Sequence, residues 1–240
     1  MAKRKKKKKL RLDRVFIAFI IILALLFGIY KSASFVIDYV LSFFDTNIVG
    51  LIQTPKDYIA TVVIDPGHGG SDVGANKGEV YEKDINLKTA LYLQKALDDK
   101  NIKAVLTRTE DVALDSNKIT DLNMRAKMSE QNNASYFISI HVNDYADDTS
   151  VSGFEVYTRN EESQSLANMI STEISELNLS NNRGVQDGHT LQVLRDNTVP
   201  AVLIELGYIK SSDYNYLTND DQLNNIAKAI AQGIEEEINK

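Results

Sequence analysis

The chain has 240 residues, 43% of them hydrophobic and 25% charged, enough for one domain with an appendage. It has no cysteine, which excludes disulfides and thiolate metal sites and leaves any metal to three histidines and the carboxylates. Charge is uneven: residues 1–50 hold 10 Lys/Arg against 3 Asp/Glu and the remainder holds 17 against 30, so the main domain is too acidic to grip a phosphate backbone and nucleic acid is excluded as its partner.

Every residue from Lys3 to Lys9 is basic, and Arg11 and Arg14 follow, giving a basic cytoplasmic tail over residues 1–14. Val15–Tyr30 carries no charge and would form roughly 24 Å of helix, slightly short of a ~30 Å hydrocarbon core. Lys31 can snorkel and let the span run to Ile37, so residues 15–37 are expected to form one transmembrane signal anchor. The basic cluster keeps the N-terminus in the cytoplasm and sends the rest across the membrane. Ser32-Ala33-Ser34 keeps open the alternative of a cleaved signal and a secreted protein. Within residues 35–52, Val36, Tyr39, Val40, Phe43 and Phe44 fall at helical spacing, suited to the outer membrane surface, to a continuation of the span or to a greasy linker. Residues 38–57 read as the linker, and the main domain is expected over residues 58–240.

That domain opens on Thr61-Val-Val-Ile-Asp-Pro-Gly-His68-Gly-Gly, a β-branched run that meets a Pro/Gly turn and so reads as a buried strand ending just before His68. Glu82 to Asp99 is predicted helical, with Leu87, Ala90, Leu91 and Leu97 on one face, and Ile102–Thr107 as a strand. Asp121–Glu130 reads as a helix capped by Asp121, Tyr136–His141 and Gly153–Tyr157 as strands, and Glu162–Leu179 as a helix. Leu191–Leu194 is expected to be a short strand, Ala201–Glu205 a fully buried one, and Asp220–Ile238 the closing helix. The alternation predicts an α/β fold with helices layered on a mainly parallel sheet.

His68, His141 and Glu205 each follow or close an apolar strand, and the ends of parallel strands share one edge of a sheet. Glu82 opens the helix after the His68 loop and belongs near that edge. A histidine at a strand end is also met as a plain loop residue, and a glutamate opening a helix answers its dipole. A glutamate ending a greasy strand, however, is costly to bury without a partner. Two histidines and one carboxylate suit a zinc site with an open fourth position, and the remaining carboxylate suits a general acid/base. Zinc as a Lewis acid would bring the pKa of water from ~15.7 toward about 7. The glycines do not form G-x-G-x-x-G, and no Gly-Lys-Ser/Thr follows, so a nucleotide cradle is excluded. His189, in Asp187-Gly188-His189-Thr190, sits among turn residues; it and Asn143 are the candidate substrate contacts.

VVIDPGHGGSDVGA, YEKDINL, LTRTED, FISIHVND, GFEVY and VLRDNTVPAVLIELGYI, with the amphipathic last helix, resemble the zinc-dependent N-acetylmuramoyl-L-alanine amidases across residues 61–238. The resemblance implies a twisted, mixed, mainly parallel sheet flanked by helices on both faces, and hydrolysis of the amide joining N-acetylmuramic acid to L-alanine in bacterial peptidoglycan. It also implies one zinc per chain on His68, Glu82 and His141, with Glu205 as catalytic acid/base. The chain departs from the family pattern at Lys100-Asn101, Val142 and Asp144. The expected protein is thus an extracytoplasmic, membrane-anchored amidase, monomeric in its catalytic domain. The alternatives are a zinc amidohydrolase on another wall-peptide amide and an inactive peptidoglycan-binding scaffold.

Overall fold

The computed structural model describes residues 56–145 and 148–240, together with Ile20, Ile22, Leu23, residues 26–31 and Ile37. Most of the expected anchor over residues 15–37 and the linker over 38–57 lie outside the described residues. The described residues of the anchor are helical, and Leu26, Phe27, Ile29 and Tyr30 are exposed. Among the described residues no helix is long and apolar enough to cross a membrane. Asp57–Lys240 forms one compact unit.

That unit is built on a six-stranded sheet in the order β4-β1-β5-β8-β6-β7. Its strands are β1 (Ala60–Pro66), β4 (Ile102–Leu106), β5 (Tyr136–Asn143), β6 (Phe154–Thr158), β7 (Asn182–Asp187) and β8 (Ala201–Tyr208). A small antiparallel pair, β2 (Asn76–Lys77) and β3 (Val80–Tyr81), lies outside it. β4, β1, β5 and β8 run parallel, whereas β6 is antiparallel to β8 and carries β7 parallel to itself. The sheet is therefore mixed and mostly parallel. The ends of β1, β5 and β8 and the start of β6 share one edge.

Side chains alternate across each strand, and both faces are buried, which explains the apolar runs of β1, β5 and β8. Val62, Ile64, Ile138 and Ile204 pack with α1 (Glu82–Asp99), α3 (Glu161–Glu176) and α6 (Asp220–Ile238) through Leu93, Leu97, Leu166, Ile170, Ile230 and Ile234. Val63, Phe137 and Leu203 face the other layer, formed by α2 (Lys118–Gln131) and α4 (Gln192–Arg195). The last short helix, α5, spans Tyr214–Leu217.

Three local expectations are corrected. Leu191–Leu194 is not a strand: the Leu191 carbonyl accepts from Leu194 N at 3.0 Å and Arg195 N at 2.9 Å, which closes a helical turn. The cap of α2 is Asn117, whose side chain accepts from Ile119 N and Thr120 N, while Asp121 lies inside the helix and pairs with Arg125. Leu91 is 41% exposed; the buried stripe of α1 runs Glu82, Ile85, Asn86, Thr89, Ala90, Leu93, Ala96 and Leu97, so Ala90 and Leu97 lie on it as expected. β7 has no apolar alternation to reveal it. At the family departure, Asn101 takes φ 59°, a left-handed conformation that asparagine tolerates better than most residues.

Candidate functional site

The strand β1 ends in a turn whose carbonyl groups are held by two buried arginines. Arg125 donates to Pro66 O at 2.9 Å and His68 O at 2.8 Å. Arg108 donates to Pro66 O and Gly67 O, both at 2.9 Å, and to Lys83 O at 2.8 Å, tying the turn to the first residues of α1. Arg125 is neutralised by Asp65 at 3.0 Å and Asp121 at 2.5 Å. Asp65 also accepts from Thr107 Oγ1 at 2.7 Å and Ser139 Oγ at 2.9 Å. Burial alone would raise the Asp65 pKa, but Arg125 and these hydroxyls more than reverse it and hold the carboxyl below its usual range. His68 is fixed at φ 63°, a strained conformation for a residue with a Cβ.

Glu82 is the first residue of α1, on its buried stripe, so the packing of the helix plants the carboxylate under the sheet edge. Its Oε2 accepts from Ala75 N at 2.7 Å. Its Oε1 accepts from Val142 N at 3.0 Å and Asn86 Nδ2 at 3.3 Å. The same Oε1 stands 2.9 Å from His141 Nδ1 and 3.2 Å from His68 Nε2. Burial opposes its ionisation, but the two imidazoles outweigh burial and lower its pKa. Two glycines leave room for the cluster: a Cβ on Gly67 would run into the His141 ring, and one on Gly74 into Glu82 and His68. The imidazole centroids lie 5.0 Å apart at 75°. One ligand atom from each of His68, Glu82 and His141 lies within 4.8 Å of the other two.

Asp72 Oδ1 stands 2.8 Å from His68 Nδ1, close enough for an ion pair but outside hydrogen-bond geometry, and Asp72 is also paired with Lys118. Burial works against the Asp72 anion, yet Lys118 and His68 hold its pKa at about 2. A cavity of about 420 Å³ opens beside His68, lined by Gly69, Asp72, Asp115, Lys118 and Arg125 among others. A separate hollow of about 250 Å³, between α1 and α6 at Asp84, Lys88 and Leu223, contains none of these donors.

Glu205 is the strand partner of His141 on one side and of Glu155 on the other. It is half-buried, and its Oε2 is enclosed with no hydrogen-bond partner among the described residues. Burial first, then the nearby charges of Glu82 and Glu155, raises its pKa well above the usual carboxylate value. Glu155 is buried but fully partnered, accepting from Tyr157 Oη at 2.6 Å, Tyr208 Oη at 3.0 Å and Arg183 Nε at 2.5 Å. These partners outweigh its burial and keep Glu155 anionic.

With this edge defined, a family model described as N-acetylmuramoyl-L-alanine amidase matches residues 62–236. The chain belongs to the N-acetylmuramoyl-L-alanine amidase family. It is 36% identical over 180 residues to a probable cell wall amidase, LytH, of Staphylococcus aureus, covering 72% of this chain. The match spans 57% of that relative's length. The catalytic domain of CwlV, an amidase of Bacillus (Paenibacillus) polymyxa, superposes with TM-score 0.69 at 34% identity, over 75% of this chain and 98% of its own. AmiC2 of Nostoc punctiforme superposes with TM-score 0.70 at 34% identity, over 76% and 98%.

Of the residues singled out from sequence, His68, Glu82, His141 and Glu205 meet on one edge. Asn143 is half-buried on β5, and its side chain accepts from Asp144 N at 2.9 Å. His189 stands apart from the cluster's contacts, exposed and paired with Asp187 at 2.6 Å. Sequence reasoning missed Asp65, Asp72, Arg108, Arg125 and Glu155. Asp65 was within reach: a carboxylate ending a β-branched strand demands a buried cation, by the reasoning applied to Glu205.

Proposed function

We propose that the chain hydrolyses the amide between N-acetylmuramic acid and L-alanine in peptidoglycan, with one zinc ion held by His68, Glu82 and His141 and with Glu205 moving the proton. The observation that carries this reading is the convergence of two imidazoles and a carboxylate beside a second carboxylate, Glu205, whose enclosed Oε2 has no hydrogen-bond partner among the described residues. Tetrahedral zinc ligands at ~2.0–2.2 Å lie roughly 3.4 Å apart, and the contacts of Glu82 Oε1 with His141 (2.9 Å) and His68 (3.2 Å) are near that spacing. A two-histidine, one-carboxylate set also leaves the fourth position that hydrolytic zinc sites use. Zinc bound there would supply Lewis acidity and a lowered pKa for water.

The chain's own residues do the rest. The arginine-held turn and the α1 stripe fix His68 and Glu82 before substrate arrives, so little reorganisation is needed. Glu205 takes a proton from the attacking water and delivers it to the alanine nitrogen as the C–N bond breaks. A raised pKa suits a group that must accept and release a proton within one turnover. The anionic Glu155 on the next strand supports that raised value.

Peptidoglycan as substrate also motivates the placement: the basic tail and apolar run would anchor the protein in the bacterial membrane with residues 58–240 outside, as a monomeric domain. Incubating the purified protein with peptidoglycan tests the activity. Soluble products with new L-alanine amino termini and free muramoyl carboxyls are expected. New amino termini on another residue would indicate a different wall-peptide amide, and binding without release an inactive scaffold.

A further inference from the structure

Arg183 lies at the start of β7, two strand spacings, roughly 10 Å, from Glu205 along the catalytic edge. The β6–β7 ladder shifts register here, pairing Phe154 with Asn182 and then Val156 with Val185, so Arg183 and Gly184 together oppose Glu155. Gly184 takes φ 86°, which lets the backbone bulge. A bulge beside a site re-aims a side chain, and this one brings the guanidinium onto Glu155. Nε donates to Glu155 Oε1, and the guanidinium carbon sits 5.5 Å from the centroid of the Tyr208 ring. Neither Nη atom donates to a protein group among the described residues, and the side chain is 41% exposed. Lys210, on the turn leaving β8, is already paired with Asp144 at 2.6 Å.

A partly exposed guanidinium held by its Nε beside one ring, with its two amino groups free of protein partners among the described residues, is a preorganised fork for a carboxylate. The substrate shows which half of it carries one. The muramoyl carboxyl is the acyl half of the bond being cut, so free carboxylates belong to the peptide half. One residue beyond the alanine lies about 7 Å along an extended chain from the scissile nitrogen, and an arginine side chain spans the remainder.

We propose that Arg183 receives a free carboxylate on the stem-peptide residue that follows the alanine, and that Glu155, Tyr208 and the bulge at Gly184 position it to do so. This rests on the amidase reading and adds a preference for peptides that bear that carboxylate over those in which it is a carboxamide.

The test uses the full chain and two synthetic muramoyl peptides, identical except for carboxylate or carboxamide on the residue after the alanine. The wild-type protein is expected to favour the carboxylate by about tenfold or more in kcat/KM, the scale of a charge-assisted hydrogen bond. Arg183→Gln should collapse that ratio toward one, and Arg183→Lys, a point charge without the fork, should retain part of it. Equal kcat/KM of wild type for both peptides would overturn the proposal. So would an undiminished ratio in Arg183→Gln, which would reduce Arg183 to a support for Glu155. The wild-type comparison stands even if a variant fails to fold. Release from neither peptide would bring down the amidase reading and this inference with it, whereas release from both at one rate brings down this inference alone.

Discussion

His68 shows how much of a site is decided by groups that never touch substrate. Its Nε2 faces Glu82, and its Nδ1 faces Asp72, which Lys118 holds in turn. A carboxylate behind a metal-binding imidazole fixes the ring and raises its basicity. Asp72→Asn is therefore expected to weaken zinc binding about 10–100-fold, as measured by competition with a chromophoric chelator. Unchanged affinity would mean that Asp72 serves only the rim. The four central residues were legible because each follows an apolar strand, closes the apolar run of one or opens a helix, where burial of a polar group needs a reason. Asp72 was not: an aspartate two residues after Gly70 reads equally well as a turn former. Only the folded loop sets it against His68.

At the scale of elements, β1 and its turn depend on Asp65 and Arg125 as one buried unit. The Asp65 pKa is lower folded than unfolded, so its stabilisation is complete above pH ~4 and is lost as pH falls through the folded value. Asp65→Asn leaves Arg125 short of a charge and should cost about 3–5 kcal/mol at pH 7. That loss should shrink by about 1.4 kcal/mol for each pH unit below 4, until the folded pKa is reached. Urea unfolding across this range would show it; a loss independent of pH would mean that Asp65 acts through shape alone. β1, β5 and β8 were readable because both faces of a central parallel strand are apolar. β7 was not, since Asn-Arg-Gly-Val-Gln-Asp on an edge needs no apolar face. Leu191–Leu194 misled for the converse reason: a short apolar run fits a strand or a buried helical turn, and periodicity over four residues does not separate them.

For the whole molecule, the order β4-β1-β5-β8 brings distant segments of sequence to one edge, and the antiparallel β6 adds Glu155 beside Glu205. Alternation of strands and helices predicted the parallel part. The reversal at β6 has no local signature, because direction is set by which neighbour a strand meets. The charge asymmetry carries its own expectation. With the basic tail inside and the apolar run as anchor, full-length protein should fractionate with membranes, and external protease should reach residues 58–240. A soluble form beginning near Phe35 would instead show that the N-terminal segment is a cleaved signal.

The division of labour between two glutamates is the central claim, and paired amide variants test it. Zinc per chain and muropeptide release would be measured on Glu205→Gln and Glu82→Gln beside the wild type. Glu205→Gln keeps shape but cannot exchange a proton, so it should retain about one zinc while turnover falls at least 10²–10⁴-fold. Glu82→Gln should lose zinc and activity together, because it removes the anionic ligand. If Glu205→Gln emptied the metal site while Glu82→Gln stayed loaded, or if wild-type protein free of transition metal released muropeptides at full rate, the proposed site would be wrong.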